Sequence, residues 1–153
     1  MKKIILFAAI IISLIVSNCT AGNPDKKTKN SEMNPVVIQL TNETFKKLVF
    51  NYDLNKVWKY EGVKPAIIDF YADWCPPCRQ LSPLVEELAK EYDGKIVVYK
   101  VNTDQEKGLA QSLGVTSLPT LLYIPAKGKP QFTMGLIPRD TLVKMINEVL
   151  LTK

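Results

Sequence analysis

The fold of this chain is decided by residues 69–79, which read Asp-Phe-Tyr-Ala-Asp-Trp-Cys-Pro-Pro-Cys-Arg. The stretch joins an apolar run over 66–71, interrupted by one aspartate, to a long periodic segment over 76–92. The apolar run predicts a buried strand, and apolar residues recurring every three or four positions predict a helix. Cys75 therefore stands just before the first helical turn, and Cys78 stands one turn inside the helix.

Two cysteines at this spacing are open to three interpretations: half of a zinc site, a structural disulfide, or a redox dithiol. Structural zinc needs four Cys or His ligands, but the chain has no histidine and only one further cysteine, Cys19. A disulfide that closes so short a loop stabilises a fold little. Redox chemistry is favoured, because the start of a helix stabilises a thiolate at Cys75 while Cys78 is placed to resolve a mixed disulfide.

The N-terminal residues have the pattern of an export signal. Two lysines precede an apolar run over 4–16, which is shorter than the roughly 20 residues of a membrane-spanning helix. Residues 16–19, Val-Ser-Asn-Cys, resemble the lipobox of bacterial lipoproteins and predict a signal peptide over 1–18 with lipidation of Cys19. Ordinary cleavage after Ala21 is the main alternative, and a chance cysteine in a membrane anchor is another.

The residues after the signal divide into a polar segment and a folded domain. Residues 19–34 are polar and predict a flexible tether, so the folded domain is predicted over 35–153. The expected location is extracytoplasmic: a periplasmic domain held at the membrane through lipidated Cys19. The net charge of +5 is spread along the chain without the basic stripe of a nucleic-acid-binding protein. The absence of histidine excludes imidazole as a base or a metal ligand.

The rest of the chain predicts an α/β fold. Thr41 or Asn42 is expected to begin a helix, and residues 53–62 to extend it or to form a second short one. The predicted order is β-α-β-α-β-α-β-β-α, in which strands alternate with helices and the last two strands are antiparallel, so the sheet is mixed. The other predicted strands are 36–40, 96–101, 120–124 and 131–134, and the other predicted helices are 105–113 and 140–151.

Residues 69–79 strongly resemble the active-site segment of thioredoxins, and the resemblance extends over about 35–152. It implies a thioredoxin fold, with a mixed central sheet of about five strands flanked by helices on both faces. Further markers of the family are a buried acid, a lysine beside it, a proline inside the long helix, a cis-proline loop and a glycine of the substrate groove. These markers are Asp69, Lys100, Pro83, Leu118-Pro119-Thr120 and Gly135.

The resemblance also implies roles for these residues. Cys75 and Cys78 form the redox disulfide, with Cys75 as the nucleophile and Cys78 as the resolving cysteine. Asp69 relays the proton of Cys78, and burial in an apolar strand is expected to raise its pKa. Lys100 is the expected partner of Asp69, although the two could also form a purely structural pair. The implied substrate-binding residues are Trp74, Pro76, Leu118, Pro119 and Gly135.

The implied enzyme is a protein-disulfide reductase that acts on disulfide-containing exported proteins. We expect a monomer with no cofactor, metal or nucleic-acid partner, re-reduced by a thiol electron donor in the membrane. Two alternatives are a thioredoxin-like factor for cytochrome c maturation and a general disulfide oxidant or isomerase. A third, of another class, is a non-catalytic binding module. Pro76 and Ser117 stand where glycine is common in the family, and residues 50–64 form a longer segment without an assigned role.

Overall fold

The structure is a computed structural model, and it describes residues 36–152. The predicted signal peptide over 1–18, the lipidation site Cys19 and the tether over 19–34 lie outside the described residues. Those assignments therefore stay predictions. In the part of the chain that the structure describes, no helix has the length and apolar character needed to cross a membrane.

Five strands form one mixed sheet. In space they follow the order β1-β3-β2-β4-β5, so β2 occupies the centre. It pairs in parallel with β3 and antiparallel with β4, while β1 is parallel to β3 and β5 antiparallel to β4. The strands are β1 (Val37–Gln39), β2 (Ala66–Tyr71), β3 (Val97–Asn102), β4 (Thr120–Ile124) and β5 (Gln131–Met134). The prediction of a mixed sheet of about five strands is confirmed.

Helices cover both faces of the sheet, as predicted. One core contains the buried sides of α2 and α4, and a second core on the other face contains those of α1 and α3. The last helix continues as a π-helical turn over Ile146–Leu150, within the region predicted as one helix. The helices are α1 (Asn42–Leu48), α2 (Pro76–Glu91), α3 (Lys107–Ser112) and α4 (Arg139–Met145).

A capping box begins α1 at the predicted place. The Thr41 hydroxyl accepts the N–H group of Thr44 at 3.3 Å, and the Thr44 hydroxyl accepts the N–H group of Thr41 at 2.8 Å. These two bonds satisfy donors that a helix start otherwise leaves free. They also fix the phase of α1, which places Phe45 in the core without exposure to solvent.

The prediction of a helix over 53–62 is wrong, because that segment consists of turns and irregular backbone. The side chain of Asn51 accepts the N–H groups of Asp53 and Leu54, which is a local bond that competes with helical hydrogen bonding. Leu54 and Val57 remain 80% and 78% exposed, so the apolar spacing that suggested a helix does not pack against the rest of the described domain.

The chain turns from β2 into α2 at the edge of the sheet where the C-terminal end of β2 lies. β2 ends at Tyr71 and α2 begins at Pro76, so the two cysteines lie where the central strand ends. At this edge Tyr71 pairs with Asn102 of β3 and Phe70 with Thr120 of β4. Segments distant in sequence therefore meet around the cysteines.

Candidate active site

Cys75 is the N-cap residue of α2, with extended backbone at φ −85° and ψ 107°. Its Sγ accepts the N–H group of Cys78 at 3.2 Å. Pro76 and Pro77 occupy the first two helical positions, where a missing N–H group costs no helical bond. The first backbone donor after Cys75 therefore belongs to Cys78.

The two cysteines are joined by a disulfide, with their Cα atoms 5.3 Å apart. Each is only 2% exposed, so exposure does not distinguish the expected nucleophile from the expected resolving cysteine in this oxidised state. Their surroundings differ. Cys75 lines an open cleft of about 440 Å³, whereas Cys78 lines a separate cavity of about 220 Å³.

The cleft at Cys75, which we call the Cys75 cleft, brings together part of the predicted substrate-binding set. Trp74, Pro76 and Leu118 line it, and Trp74 is 66% exposed. Sequence reasoning missed the opposite wall, which α3 and the following loop supply, because residues that meet only in the folded chain carry no local motif. The lining residues that were not assigned to substrate binding are Pro77, Thr103, Ala110, Val115, Thr116 and Ser117.

Pro119 and Gly135 are brought together beside this cleft. The peptide bond between Leu118 and Pro119 is cis. The carbonyl oxygen of Pro119 accepts the N–H group of Gly135 at 2.8 Å. Gly135 has a φ of +82°, a conformation that side chains other than glycine rarely adopt. The bond holds the Leu118 loop at the start of β4 against the end of β5.

A chain of hydrogen bonds holds the loop that carries Trp74. The indole Nε1–H of Trp74 donates to Asp104 Oδ2 at 2.8 Å. The N–H group of Asp104 donates to Asn102 Oδ1 at 3.0 Å, and Asn102 Nδ2 donates to Asp73 Oδ2 at 3.2 Å. These bonds connect the residues before Cys75 to the end of β3. Asp104 was not among the residues predicted from the sequence.

Asp69 lies in the middle of β2 with no exposure to solvent. Its Oδ2 accepts the hydroxyl of Ser82, from α2, at 3.0 Å, and its Oδ1 has no hydrogen-bond partner among the described residues. Burial raises the pKa of Asp69 to about 6, although the Ser82 bond and the charge of Lys100 both lower it. The carboxyl therefore changes protonation close to neutral pH.

Lys100 is the register neighbour of Asp69 but not its direct ion-pair partner. Its ammonium lies 3.2 Å from Glu86 Oε1 and 4.8 Å from the centre of the Tyr71 ring. Glu86 is half exposed, so pairing there removes less water from the ammonium than contact with the buried Asp69 would. The predicted Asp69–Lys100 pairing is thus corrected: Lys100 acts on Asp69 through its charge at a distance.

Known proteins match this chain over the same region. The family model described as Thioredoxin matches residues 36–148. A thioredoxin of Borreliella burgdorferi is 46% identical over 113 residues, which are 74% of this chain and 97% of the relative. Thioredoxin 1 of a Nostoc species is 38% identical over 110 residues, or 72% and 94% of the two chains. A crystal structure of chloroplastic thioredoxin z matches with a TM-score of 0.62 and 25% identity, covering 73% of this chain and 92% of that one.

The buried carboxyl generates a prediction for stability. Because the pKa of Asp69 rises from 3.8 to about 6 on folding, the native state keeps a proton that the unfolded state loses, and stability falls as pH rises through that window. Two pKa units correspond to about 3 kcal/mol. We therefore compare the unfolding free energy of Asp69→Asn with that of the unchanged protein. As pH rises from about 3 to about 8, we expect the difference to shift in favour of Asp69→Asn by roughly that much.

Urea unfolding of the oxidised protein over this pH range measures the difference. The exposed Asp93→Asn is the matched control, since it relieves no buried charge. If Asp69→Asn and the unchanged protein show the same pH dependence, the raised pKa of Asp69 is wrong.

Proposed function

This chain belongs to the thioredoxin family, and on that basis we propose that it reduces disulfide bonds of exported proteins outside the cytoplasm, from a lipid anchor at Cys19. Its family makes it a protein-disulfide oxidoreductase, and its cysteine pair forms a disulfide. The observation that carries the proposal is the place of Cys75, whose sulfur caps a helix and lines an open apolar cleft.

The first step is attack by Cys75. In the reduced enzyme the Cys75 thiolate attacks one sulfur of a substrate disulfide, and a new S–S bond forms as the substrate bond breaks. The second substrate sulfur leaves as a thiolate and takes a proton from water. The N–H group of Cys78 and the start of α2 favour the Cys75 thiolate over the thiol.

The second step is resolution by Cys78. Its thiol passes a proton to Asp69, and the resulting thiolate attacks Cys75 Sγ. The mixed disulfide breaks, the remaining substrate sulfur leaves as a thiolate, and the Cys75–Cys78 disulfide forms. Two electrons have then passed from the enzyme to the substrate. A thiol donor in the membrane must return two electrons before the next cycle.

The surface around the cleft fits an extended, partly apolar polypeptide. Trp74, Pro76 and Leu118 offer apolar contact beside the reactive sulfur. The backbone of Leu118 is available to pair with a substrate strand, and the bond between Pro119 and Gly135 holds that backbone in place. We therefore assign substrate binding to these five residues.

The division of roles between the cysteines is tested by single substitutions. We expect Cys75→Ser to abolish the protein's catalysis of insulin reduction by dithiothreitol, because Cys75 supplies the only sulfur that lines the cleft among the described residues. Cys78→Ser is expected to leave attack intact and to accumulate mixed disulfides at Cys75. Alkylation of the reduced protein should label Cys75 before Cys78, and the reverse order would overturn the assignment.

The same assay separates the alternative functions. If the unchanged protein fails to reduce insulin, the chain is a binding module rather than a reductase. Proteins trapped on Cys75 in the Cys78→Ser variant identify the substrates: a predominance of cytochrome c apoproteins would replace general reduction by a role in cytochrome c maturation.

The surroundings of Cys75 also set the direction of the reaction. Proteins of this chemistry range from about −270 mV for thioredoxin to about −120 mV for a strong oxidant. Stabilising the reduced thiolate raises the potential, and here the chain offers no histidine while Pro76 and Pro77 have no N–H group. We expect a midpoint near the reducing end, measured by equilibration with glutathione. A midpoint above about −180 mV contradicts a reductant.

Pro76→Gly is the informative variant for this measurement, since it adds one backbone donor near Cys75. A hydrogen bond to a charged group contributes about 1.5–3 kcal/mol, which corresponds to an increase of roughly 30–60 mV. A midpoint that does not move would show that the missing donor is not what sets the potential.

The anchor is tested at Cys19. We expect the full-length protein to partition into the detergent phase and Cys19→Ala to release it, because acylation of Cys19 would add long apolar chains. Mass analysis of the mature N-terminus is the direct check. A mature chain that starts at unmodified Gly22 contradicts the lipid anchor and leaves export intact.

A further inference from the structure

Ser82 has a contact that the resemblance to thioredoxins did not assign. It lies in α2, one helical turn after Cys78, so residues 78 and 82 share one face of the helix. Its Oγ–H donates to Asp69 Oδ2 at 3.0 Å across the gap between α2 and β2. Of the residues that the structure describes, Ser82 alone is within hydrogen-bond distance of this carboxylate.

Ser82 also lies at the cavity that Cys78 lines. Both residues line the cavity of about 220 Å³, which shares no lining residue with the Cys75 cleft. Lys100 lines the same cavity, but its ammonium pairs with Glu86. Ser82 is therefore the side chain that connects the buried carboxyl of Asp69 with the cavity at Cys78.

We propose that Ser82 is a positioning residue for the resolving step: its hydroxyl fixes the Asp69 carboxyl toward the Cys78 cavity and keeps that carboxyl ionised as the acceptor of the Cys78 proton. The inference rests on the proposed function, because it concerns how Cys78 is activated. In the step itself the proton leaves Cys78 Sγ for Asp69, Cys78 Sγ bonds to Cys75 Sγ, and the substrate sulfur departs with the electron pair of the broken bond.

The charges around Asp69 explain why one hydroxyl matters. Burial favours the protonated carboxyl and Glu86, from α2, favours it further, whereas Lys100, from β3, favours the ionised form. Tyr123, from β4, also faces this carboxyl and stays neutral, since its own pKa is raised by burial. With the pKa of Asp69 at about 6, the Ser82 bond keeps the carboxylate predominant at neutral pH. A protonated carboxyl could not accept the proton of Cys78.

The experiment compares Ser82→Ala with Ser82→Thr, which retains a hydroxyl. Alanine is favourable in a helix interior, so Ser82→Ala is expected to fold. Carboxyl-carbon NMR of the reduced protein follows the titration of Asp69 directly. Losing a hydrogen bond to a charged group should make the carboxyl of Ser82→Ala about tenfold weaker as an acid, while Ser82→Thr titrates like the unchanged protein. The pH at which insulin reduction reaches half its maximum should move upward with it.

A double-substitution cycle tests whether Ser82 acts through Asp69. We expect Ser82→Ala to slow the resolving step about twofold near pH 7 and by up to about tenfold below about pH 6, where the carboxylate is the minor form. In an Asp69→Asn background we expect Ser82→Ala to have no effect on that rate. An unchanged Asp69 titration in Ser82→Ala, a Ser82→Thr variant that behaves like Ser82→Ala, or an effect that persists without Asp69 would each overturn the proposal. Because the NMR titration needs no turnover, it separates this failure from a protein that reduces no disulfides at all.

Discussion

The hydrogen bond from the N–H group of Cys78 to Cys75 Sγ connects the chemistry of this protein to its fold. It forms because α2 begins soon after β2 ends, and β2 is the central strand of the sheet, with a neighbour on each side. The position of Cys75 therefore depends on the burial of Ala66 to Phe70 as well as on the hydrogen bonds of the loop that carries it.

The disulfide divides the site into two environments. On one side the Cys75 cleft is open and mostly apolar, which suits a polypeptide substrate. Cys78 instead shares a smaller cavity with Ser82 and Lys100, and Ser82 bonds to Asp69, which has no exposure to solvent. The Asp69 carboxyl itself is shielded from bulk water. Its burial raises its pKa toward the neutral range, where it can both accept and release a proton.

The sequence predicted what local patterning determines. The bounds of β2, β4 and β5 agree with the structure, because each is a short apolar or alternating run between turn residues. The helix expected over 53–62 did not form, because local spacing does not stabilise a helix without packing. The spacing of Leu54 and Val57 is helical, but no other element of the described domain buries them.

Contacts across the fold were harder to predict. The pairing of Lys100 with Glu86 depends on the rotation of α2 over β3, which neither segment reveals alone. The same holds for the bond between Trp74 and Asp104. The spacing of Cys78 and Ser82 by four residues was a visible signal, but Ser82 gained meaning only when Asp69 was found opposite it.

The two sides of the disulfide influence different properties of the reaction. Donors that contact Cys75 change the relative stability of the thiolate and the disulfide. Pro76 and Pro77 therefore act on the equilibrium by having no N–H group to donate. In the proposed mechanism Asp69 takes a proton during resolution and gives it up before the next cycle, so its main effect is on the rate at which Cys78 attacks. The cost of keeping its charge in an apolar strand appears instead in the stability of the whole domain, a trade-off that functional sites commonly carry. Ser82 reduces that cost without opening the site to water, because its hydroxyl replaces one of the hydrogen bonds that the carboxylate lost on burial.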